Sequence, residues 1–384
     1  MKYRQFGKLD WKISALGFGT MRLPIIDSDK SKIDEAEAIK IIRYAIDHGV
    51  NYVDSAYTYH EGNSEVLVGK ALKDGYRQKV KLATKMPTWL VNSQSDMTKF
   101  LDEQLMKLQT DHINFYLLHG LKKDRWSKMK ELNVFDWAEK AIENGKIVHL
   151  GFSFHDDYEV FKEIIDFYSK WTFCQIQYNY VDEDIQAGTR GLKYAASKGL
   201  GVVIMEPIAG GMLAFKPSKE IQDIWSKGKI KRTPAEWALQ WVWNHPEVSV
   251  ALSGMGSMEQ VVENIKSASR SGPKKLTKNE LNLISEVKKK YLEYGFIGCK
   301  DCRYCMPCPQ NVEIPKILAL YNEHGRRRGN INAIKEVVTK YKEMIPAANR
   351  AGNCTKCGQC EEKCPQQLPI KDLLAKAVTI FEVA

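Results

Sequence analysis

Over the first 265 residues an apolar run of five to eight residues is followed by an amphipathic helical pattern, and this unit recurs eight times. The runs are ISALGFGT (13–20), VNYVDSA (50–56), KVKLATK (79–85), HINFYLLH (112–119), VHLGFSF (148–154), FCQIQYN (173–179), GVVIME (201–206) and SVALSGM (249–255). Between them lie patterns such as IDEAEAIKIIRYAIDHG, NSEVLVGKALKDG, TPAEWALQWVWNHP and SMEQVVENIK, several with an N-cap residue and a glycine stop. Eight strands alternating with eight helices over about 250 residues are what a closed (β/α)8 barrel requires. An open doubly wound sheet is the rival. It would usually carry a Gly-rich turn after its first strand, and LGFGTM is not G-x-G-x-x-G.

Reactive groups of such a barrel sit where its strands run out, at the C-terminal face. Three successive predicted strands end in Asp54, Lys85 and His119, and Tyr59 follows the first of these in the loop DSAYTYHEGN. Each residue alone has a structural reading: a barrel ion pair, a His that satisfies a carbonyl, a loop tyrosine. Together they form a proton-transfer set. A buried ammonium needs a carboxylate beside it, and a cation near a phenol stabilises the phenolate and lowers the hydroxyl's pKa. Such a tyrosine can give a proton to a carbonyl oxygen and take it back, while a histidine within hydrogen-bond reach orients that oxygen.

The order D-x4-Y, strand-end Lys, strand-end His in YLLHG resembles the tetrad of the aldo-keto reductases, and the resemblance spans residues 1 to about 290. YRQFGKLDWKISALGFGTMRL is similar to that family's N-terminal hairpin and first strand, NSEVLVGKAL to its next helix, and TPAEWALQWV with VENI to its last ones. The resemblance implies that Tyr59 is the general acid, that Lys85 lowers its pKa, that Asp54 pairs with Lys85, and that His119 polarises the carbonyl. Tyr57 is a competitor whose spacing from Asp54 does not fit the motif. The hydride would come from a nicotinamide cofactor at the barrel mouth. By the same resemblance Ser153 and Gln175 hold the nicotinamide carboxamide, and Gly19, Thr20 and Met21 form the floor of the cofactor site. Gly210, Gly211 and Leu213 cover the pyrophosphate, and Glu263 and Asn264 lie at the adenine end.

Departures from the family pattern bear on the cofactor. Phe154 stands where an Asn usually follows the Ser, and Met205 where an aromatic often stacks on the nicotinamide. Gly254, Met255 and Gln260 occupy positions at which many relatives grip the adenosine 2'-phosphate with Lys, Ser and Arg. Cations there distinguish NADPH from NADH. The family as a whole still favours NADP(H) over NAD(H).

Eight of the nine cysteines lie between Cys299 and Cys364, and Cys174 falls on a predicted strand as a buried core thiol. The second run, CTKCGQCEEKCP, is the C-x2-C-x2-C-x3-C-P pattern of bacterial ferredoxins, and the first, CKDCRYCMPCP, differs in having two residues before its last cysteine. Two [4Fe-4S] clusters are predicted. Zinc, the rival, is usually met by two separated CxxC pairs. In two-cluster modules the fourth cysteine serves the other cluster, which implies that Cys364 joins Cys299, Cys302 and Cys305, and that Cys308 joins Cys354, Cys357 and Cys360. The 45-residue spacer holds two helical patterns, VEIPKILALYNEHG and NINAIKEVVTKYKEMI, so this part resembles the α-helical ferredoxin domains of multi-subunit oxidoreductases. The expected organisation is an α/β (β/α)8 barrel over 1–272, a connecting helix over 273–295, and a ferredoxin-like domain over 296–384.

Composition narrows the partners. The polar N-terminus lacks the apolar stretch of a signal peptide and no run is long enough to span a bilayer, so a cytoplasmic protein is expected. Of the formal charge of +10, residues 273–384 hold +8, with 20 basic against 12 acidic residues. That surplus suits an acidic electron carrier such as a ferredoxin or flavodoxin. Nucleic acid, suggested by Arg326, Arg327 and Arg328 and by KK and KKK patches, lacks any aromatic-interleaved groove. Three functions follow. The first is an NAD(P)H-dependent reductase of an aldehyde, ketone or sugar with an attached electron-transfer or structural module. The second is an iron-sulfur oxidoreductase fed by ferredoxin or another donor, and the third a redox- or nucleotide-sensing subunit with little turnover. A flavin would bridge hydride and single-electron chemistry, and no segment clearly demands one.

Overall fold

The computed structural model describes residues 1–27, 29–327 and 331–383. Two compact units are formed, one by Met1–Pro207 with Ala238–Leu276, the other by Ile208–Trp237 with Thr277–Ala384.

The first unit opens with a hairpin, β1 (Tyr3–Gln5) and β2 (Lys12–Ser14). Eight parallel strands follow: β3 (Leu16–Gly19), β4 (Tyr52–Asp54), β5 (Lys81–Met86), β6 (Ile113–Leu121), β7 (Ile147–Phe154), β8 (Phe173–Gln177), β9 (Gly201–Met205) and β10 (Val250–Gly254). They close on themselves, since β10 pairs with both β9 and β3. The fold is a (β/α)8 barrel, with each predicted run supplying one strand. Strands covered on both faces need uninterrupted apolar sequence, and all nine residues of β6 are buried. Aromatic packing plugs the end opposite the strand C-termini, where Phe6 meets Phe115 at 4.9 Å, Phe173 at 5.8 Å and Tyr52 at 6.3 Å.

One irregularity matters. The pairing of β6 with β7 shifts between Leu118 and Leu121, so Leu118 faces Phe152 and Leu121 faces Phe154, which leaves an extra residue in β6 at His119–Gly120. Gly120 adopts φ +64° there. A bulge re-aims the side chain beside it, and Gly is the residue that takes this backbone without strain.

The second unit is helical. Helices Ile314–Arg326, Ile331–Met344 and Ile370–Phe381 pack around Ile317, Leu318, Val337, Tyr341, Leu374 and Phe381. Tyr341 stacks on Phe381 at 4.6 Å. The helix Lys278–Glu293 starts in a capping box in which Thr277 accepts from Glu280 N and Glu280 accepts from Thr277 N. The segment 208–237, expected within the barrel domain, clusters here. Arg232, half-buried, pairs with the buried Glu280 at 2.5 Å, and Ser218 hydrogen-bonds Tyr294 at 2.9 Å. Arg327 is engaged by Glu323 and Glu336, each at 2.8 Å, and Arg326 lies over Phe215; Arg328 falls outside the described residues. Among the described residues no helix is long and apolar enough to cross a membrane.

Candidate active site and cysteine centres

β4 and β5 are neighbours, and their C-terminal ends place Asp54 beside Lys85. The ammonium lies 2.5 Å from Asp54 Oδ1 and donates to the Ser55 carbonyl at 2.6 Å, with 1% of the Lys85 and 3% of the Asp54 side chain exposed. Burial lowers the Lys85 pKa and raises that of Asp54, and the opposite charge pulls each back. A polar bracket holds this strand end from below. Thr84 Oγ1 and Gln104 Nε2 both donate to Glu65 Oε1 at 2.6 Å, Gln104 also donates to the Lys85 carbonyl at 3.0 Å, and Tyr116 donates to Gln104 Oε1 at 2.7 Å. Sequence reasoning missed Glu65 and Gln104. Their only signal was a charged or amide side chain on the apolar face of a helical pattern.

Tyr59 begins a tight turn in which His60 (φ +50°) and Glu61 (φ +55°) take left-handed backbone. His60 pins that turn: it accepts from Leu23 N through Nε2 at 3.3 Å, which leaves Nδ1–H to donate to the Lys30 carbonyl at 2.9 Å. Lys85 Nζ sits 5.0 Å from the Tyr59 ring centre. His119 meets Tyr59 edge-on, with ring centres 6.2 Å apart. Tyr57 points elsewhere, donating to Glu103 at 2.8 Å and packing on Phe100; burial and that carboxylate push its hydroxyl up to about 12.

His119 is buried, which holds its pKa well below the ordinary imidazole range, and Lys85, His155 and Arg125 push it lower. The ring is therefore neutral, and its Nδ1 meets no hydrogen-bonding partner among the described residues. Thr88 Oγ1 donates to the His119 carbonyl at 2.7 Å, and Trp89 lies against the imidazole at 5.0 Å. These groups can accept a carbonyl oxygen, donate to it, and stabilise the phenolate left behind.

The expected dinucleotide residues are distributed over both units. Gly19 ends β3 and Thr20 and Met21 begin the turn after it, where Thr20 Oγ1 donates to the Asp54 carbonyl at 3.0 Å. Ser153 and Gln175 lie at one register on β7 and β8. Ser153 Oγ accepts from the bulged Gly120 N at 2.7 Å, and the buried Gln175 Oε1 is without a partner among the described residues, as fits a carboxamide acceptor awaiting a donor. Met205 ends β9 half-buried. Asn264 donates to Ser253 at 3.1 Å, and Glu263 precedes it half-buried. Gly210, Gly211 and Leu213 belong to the second unit. Gly210 has φ +67°, and a Cβ there would come within 3.0 Å of Lys300 Cα, so a side chain would disturb the loop between Cys299 and Cys302. Phe154 turns outward onto Phe161 at 5.0 Å. Met255 is buried and Gln260 accepts from Gly256 N. Arg22, in the turn after β3, lays its Cβ and Cγ against Gly254, a neighbour not considered from sequence.

Cys308, Cys354, Cys357 and Cys360 line one small pocket together with Pro309 and Lys371. Burial raises the thiol pKa values of Cys299, Cys302 and Cys305, and each also feels Cys364. No three His, Cys, Asp or Glu side chains among the described residues are gathered closely enough to hold one bare ion. Four thiolates are the ligand complement of a [4Fe-4S] cluster. Cys174 is fully buried on β8, and burial pushes its thiol well up.

Residues 15–289 match the Aldo/keto reductase family, and residues 298–369 match a 4Fe-4S dicluster domain. An uncharacterized oxidoreductase of Bacillus subtilis is 27% identical over 75% of this chain and 96% of its own. L-galactose dehydrogenase of Arabidopsis thaliana is 26% identical, covering 69% and 87%. Among solved structures, the holo form of an aldo-keto reductase from Bacillus halodurans superposes with TM-score 0.62 at 29% identity over 75% of this chain and 96% of its own. One from Klebsiella pneumoniae in complex with NADPH gives 0.61 at 25% identity over 75% and 95%.

Proposed function

We propose that this chain, which belongs to the aldo/keto reductase family, reduces the carbonyl of an aldehyde, ketone or sugar with Tyr59 as general acid and NADP(H) in preference to NAD(H). The observation that carries the reading is the Lys85 ammonium, buried between Asp54 and the Ser55 carbonyl, next to the Tyr59 ring and a neutral His119. A nicotinamide dinucleotide bound by Ser153, Gln175, Gly19, Thr20, Met21, Met205, Glu263 and Asn264 would supply hydride to the carbonyl carbon. Neutral His119 donates a hydrogen bond that orients the carbonyl oxygen. Tyr59 gives that oxygen its proton, Lys85 stabilises the resulting phenolate, and Asp54 keeps Lys85 charged despite burial. Arg22 against Gly254 and the NADPH held by the Klebsiella relative favour NADP(H).

The test is NADPH oxidation with a carbonyl panel. Tyr59→Phe should lose on the order of 10²- to 10⁴-fold in kcat with the iron-sulfur absorbance unchanged, and full activity in that variant would remove Tyr59 from the acid role.

The two cysteine sets, Cys299, Cys302, Cys305 with Cys364 and Cys308 with Cys354, Cys357, Cys360, each hold a [4Fe-4S] cluster in this reading. The excess of 20 basic over 12 acidic side chains in residues 273–384 favours a second role, docking of an acidic electron carrier such as ferredoxin or flavodoxin. If electrons enter that way, carbonyl substrate added to pre-reduced protein without NADPH restores the oxidised absorbance. An unchanged spectrum leaves the clusters a structural role.

A further inference from the structure

Phe173 packs on Phe6 and Phe115 inside the barrel, with ring centres 5.8 and 5.1 Å away. Alternate residues of a strand share a face, so Gln175 and Gln177 follow it on the same interior wall, with Gln177 nearest the mouth and in register with Met205 on β9. Gln177 is 1% exposed, and its Oε1 has no hydrogen-bonding partner among the described residues, as is true of Gln175 Oε1. The direction of the Gln177 amide is set from behind. Asp182 Oδ2 accepts from Gln177 Nε2 and from Asn179 Nδ2, each at 3.1 Å, while Asn179 Oδ1 accepts from the backbone amides of Val181 and Asp182 at 3.0 Å. A carboxylate accepts and does not donate, so Gln177 turns its nitrogen to Asp182 and its oxygen away. A buried amide oxygen without a donor costs free energy. Fixing it in that state with a second buried side chain suits a ligand that brings the donor.

A nicotinamide carboxamide has one oxygen that accepts and an NH2 group with two hydrogens that donate. Ser153 Oγ already accepts from Gly120 N at 2.7 Å, which leaves its own hydrogen to donate to that oxygen. On the reading above, Gln175 Oε1 takes one N–H. Phe154, turned outward onto Phe161, offers no polar group for the other. We infer that Gln177 Oε1 accepts the second carboxamide N–H, and that Asp182 is the positioning residue that keeps this oxygen facing the cofactor. The inference rests on the nicotinamide-dependent reading above. It adds a cofactor contact two residues beyond Gln175 and gives the carboxamide a full set of partners, one donor and two acceptors.

Binding, without turnover, tests it on the full, cluster-loaded protein. Calorimetric titration compares NADP+ with 3-acetylpyridine adenine dinucleotide phosphate, in which a methyl group replaces the NH2 and the carbonyl oxygen is kept. Wild type should bind NADP+ tighter by on the order of 10-fold or more, because the analogue leaves both glutamine oxygens without donors. Gln177→Met should weaken NADP+ by about 5- to 10-fold and leave the analogue within about twofold, which also reports that the variant is folded. Asp182→Asn should cut the discrimination between the two dinucleotides by about threefold. Gln177→Glu combined with Asp182→Asn exchanges amide and carboxylate, returns an oxygen to the cofactor side, and should restore most of the discrimination. Equal weakening of both dinucleotides in Gln177→Met overturns the inference, and an equal change of both in Asp182→Asn overturns the role of Asp182. Unchanged binding of both in Gln177→Met, with loss of a preference for glyceraldehyde over propanal in kcat/KM, also overturns it and assigns the oxygen to a substrate hydroxyl. Discrimination lost in Gln175→Met but kept in Gln177→Met overturns it while the nicotinamide reading stands. Wild type that binds neither dinucleotide removes that reading and this inference with it.

Discussion

Replacing Lys85 with Met keeps much of the side-chain volume and removes the ammonium, leaving the Asp54 carboxylate buried without its cation. At an effective dielectric of about 20, unit charges 2.5 Å apart attract by roughly 6 to 7 kcal/mol. The variant no longer has to desolvate an ammonium, so the net loss is about 3 to 5 kcal/mol. Asp54 responds by binding a proton. Burial already raises its pKa and Lys85 pulls it back, so without Lys85 the folded value climbs further. A carboxyl with a higher pKa folded than unfolded binds more protons in the folded state. Stability then falls as pH rises from the ordinary carboxylate range to the raised value, and is level above it. Urea midpoints followed by tryptophan fluorescence, for wild type and Lys85→Met from about pH 5 to about pH 8, should show a deficit that widens with pH. Adding Asp54→Asn to Lys85→Met should recover most of it at the upper end. A deficit independent of pH, or a double variant no better than the single one, refutes the claim that an unpaired carboxylate is its source.

Tyr57→Phe should leave kcat/KM within about twofold and cost about 0.5 to 1.5 kcal/mol of stability, because that hydroxyl is committed to Glu103; a loss matching that of Tyr59→Phe would move the acid to Tyr57. Arg22→Ala should weaken NADPH binding about tenfold more than NADH binding, read by titration of each dinucleotide, and equal weakening would place Arg22 away from the 2'-phosphate. Cys308→Ser should lower iron per chain by about half, because Cys308 shares its cavity with Cys354, Cys357 and Cys360. Unchanged iron and absorbance would free Cys308 from ligand duty.

The barrel strands were readable because a strand covered on both faces must be apolar throughout. The catalytic candidates were readable because a charged residue at the end of such a run is buried at a cost that only a partner or a reaction offsets. Tyr59 was preferred to Tyr57 on spacing alone; in the structure the Tyr59 ring lies by Lys85, and the Tyr57 ring lies on Phe100 and under Lys107 with its hydroxyl on Glu103. Three features were not legible. Gly120 reads as the end of a strand, since a bulge is a matter of pairing with β7. Arg22 and Gly254 are far apart in the chain, so their contact leaves no local trace. Glu65 resembles a solvated helix residue until Thr84 and Gln104 are seen to close on it. The segment 208–237 was assigned by its place in the β/α repeat, and periodicity says which face of a helix is apolar without saying what covers it.

That segment's attachment has a consequence for synthesis. Leu213, Ile221 and Trp237 are buried, and the ion pair and close contact that hold the segment, Arg232 with Glu280 and Gly210 with Lys300, draw on chain made later. Lys300 follows Gly210 by 90 residues, an interval of roughly 5 to 20 s at ordinary elongation rates. For that time an apolar insert hangs from a barrel whose strands β3 to β9 have already been made, open to chaperones or to other nascent chains. A ribosome stalled near Leu276 would release a barrel with all eight strands and an uncovered flap, so quality control of this protein turns on whether its last hundred residues arrive.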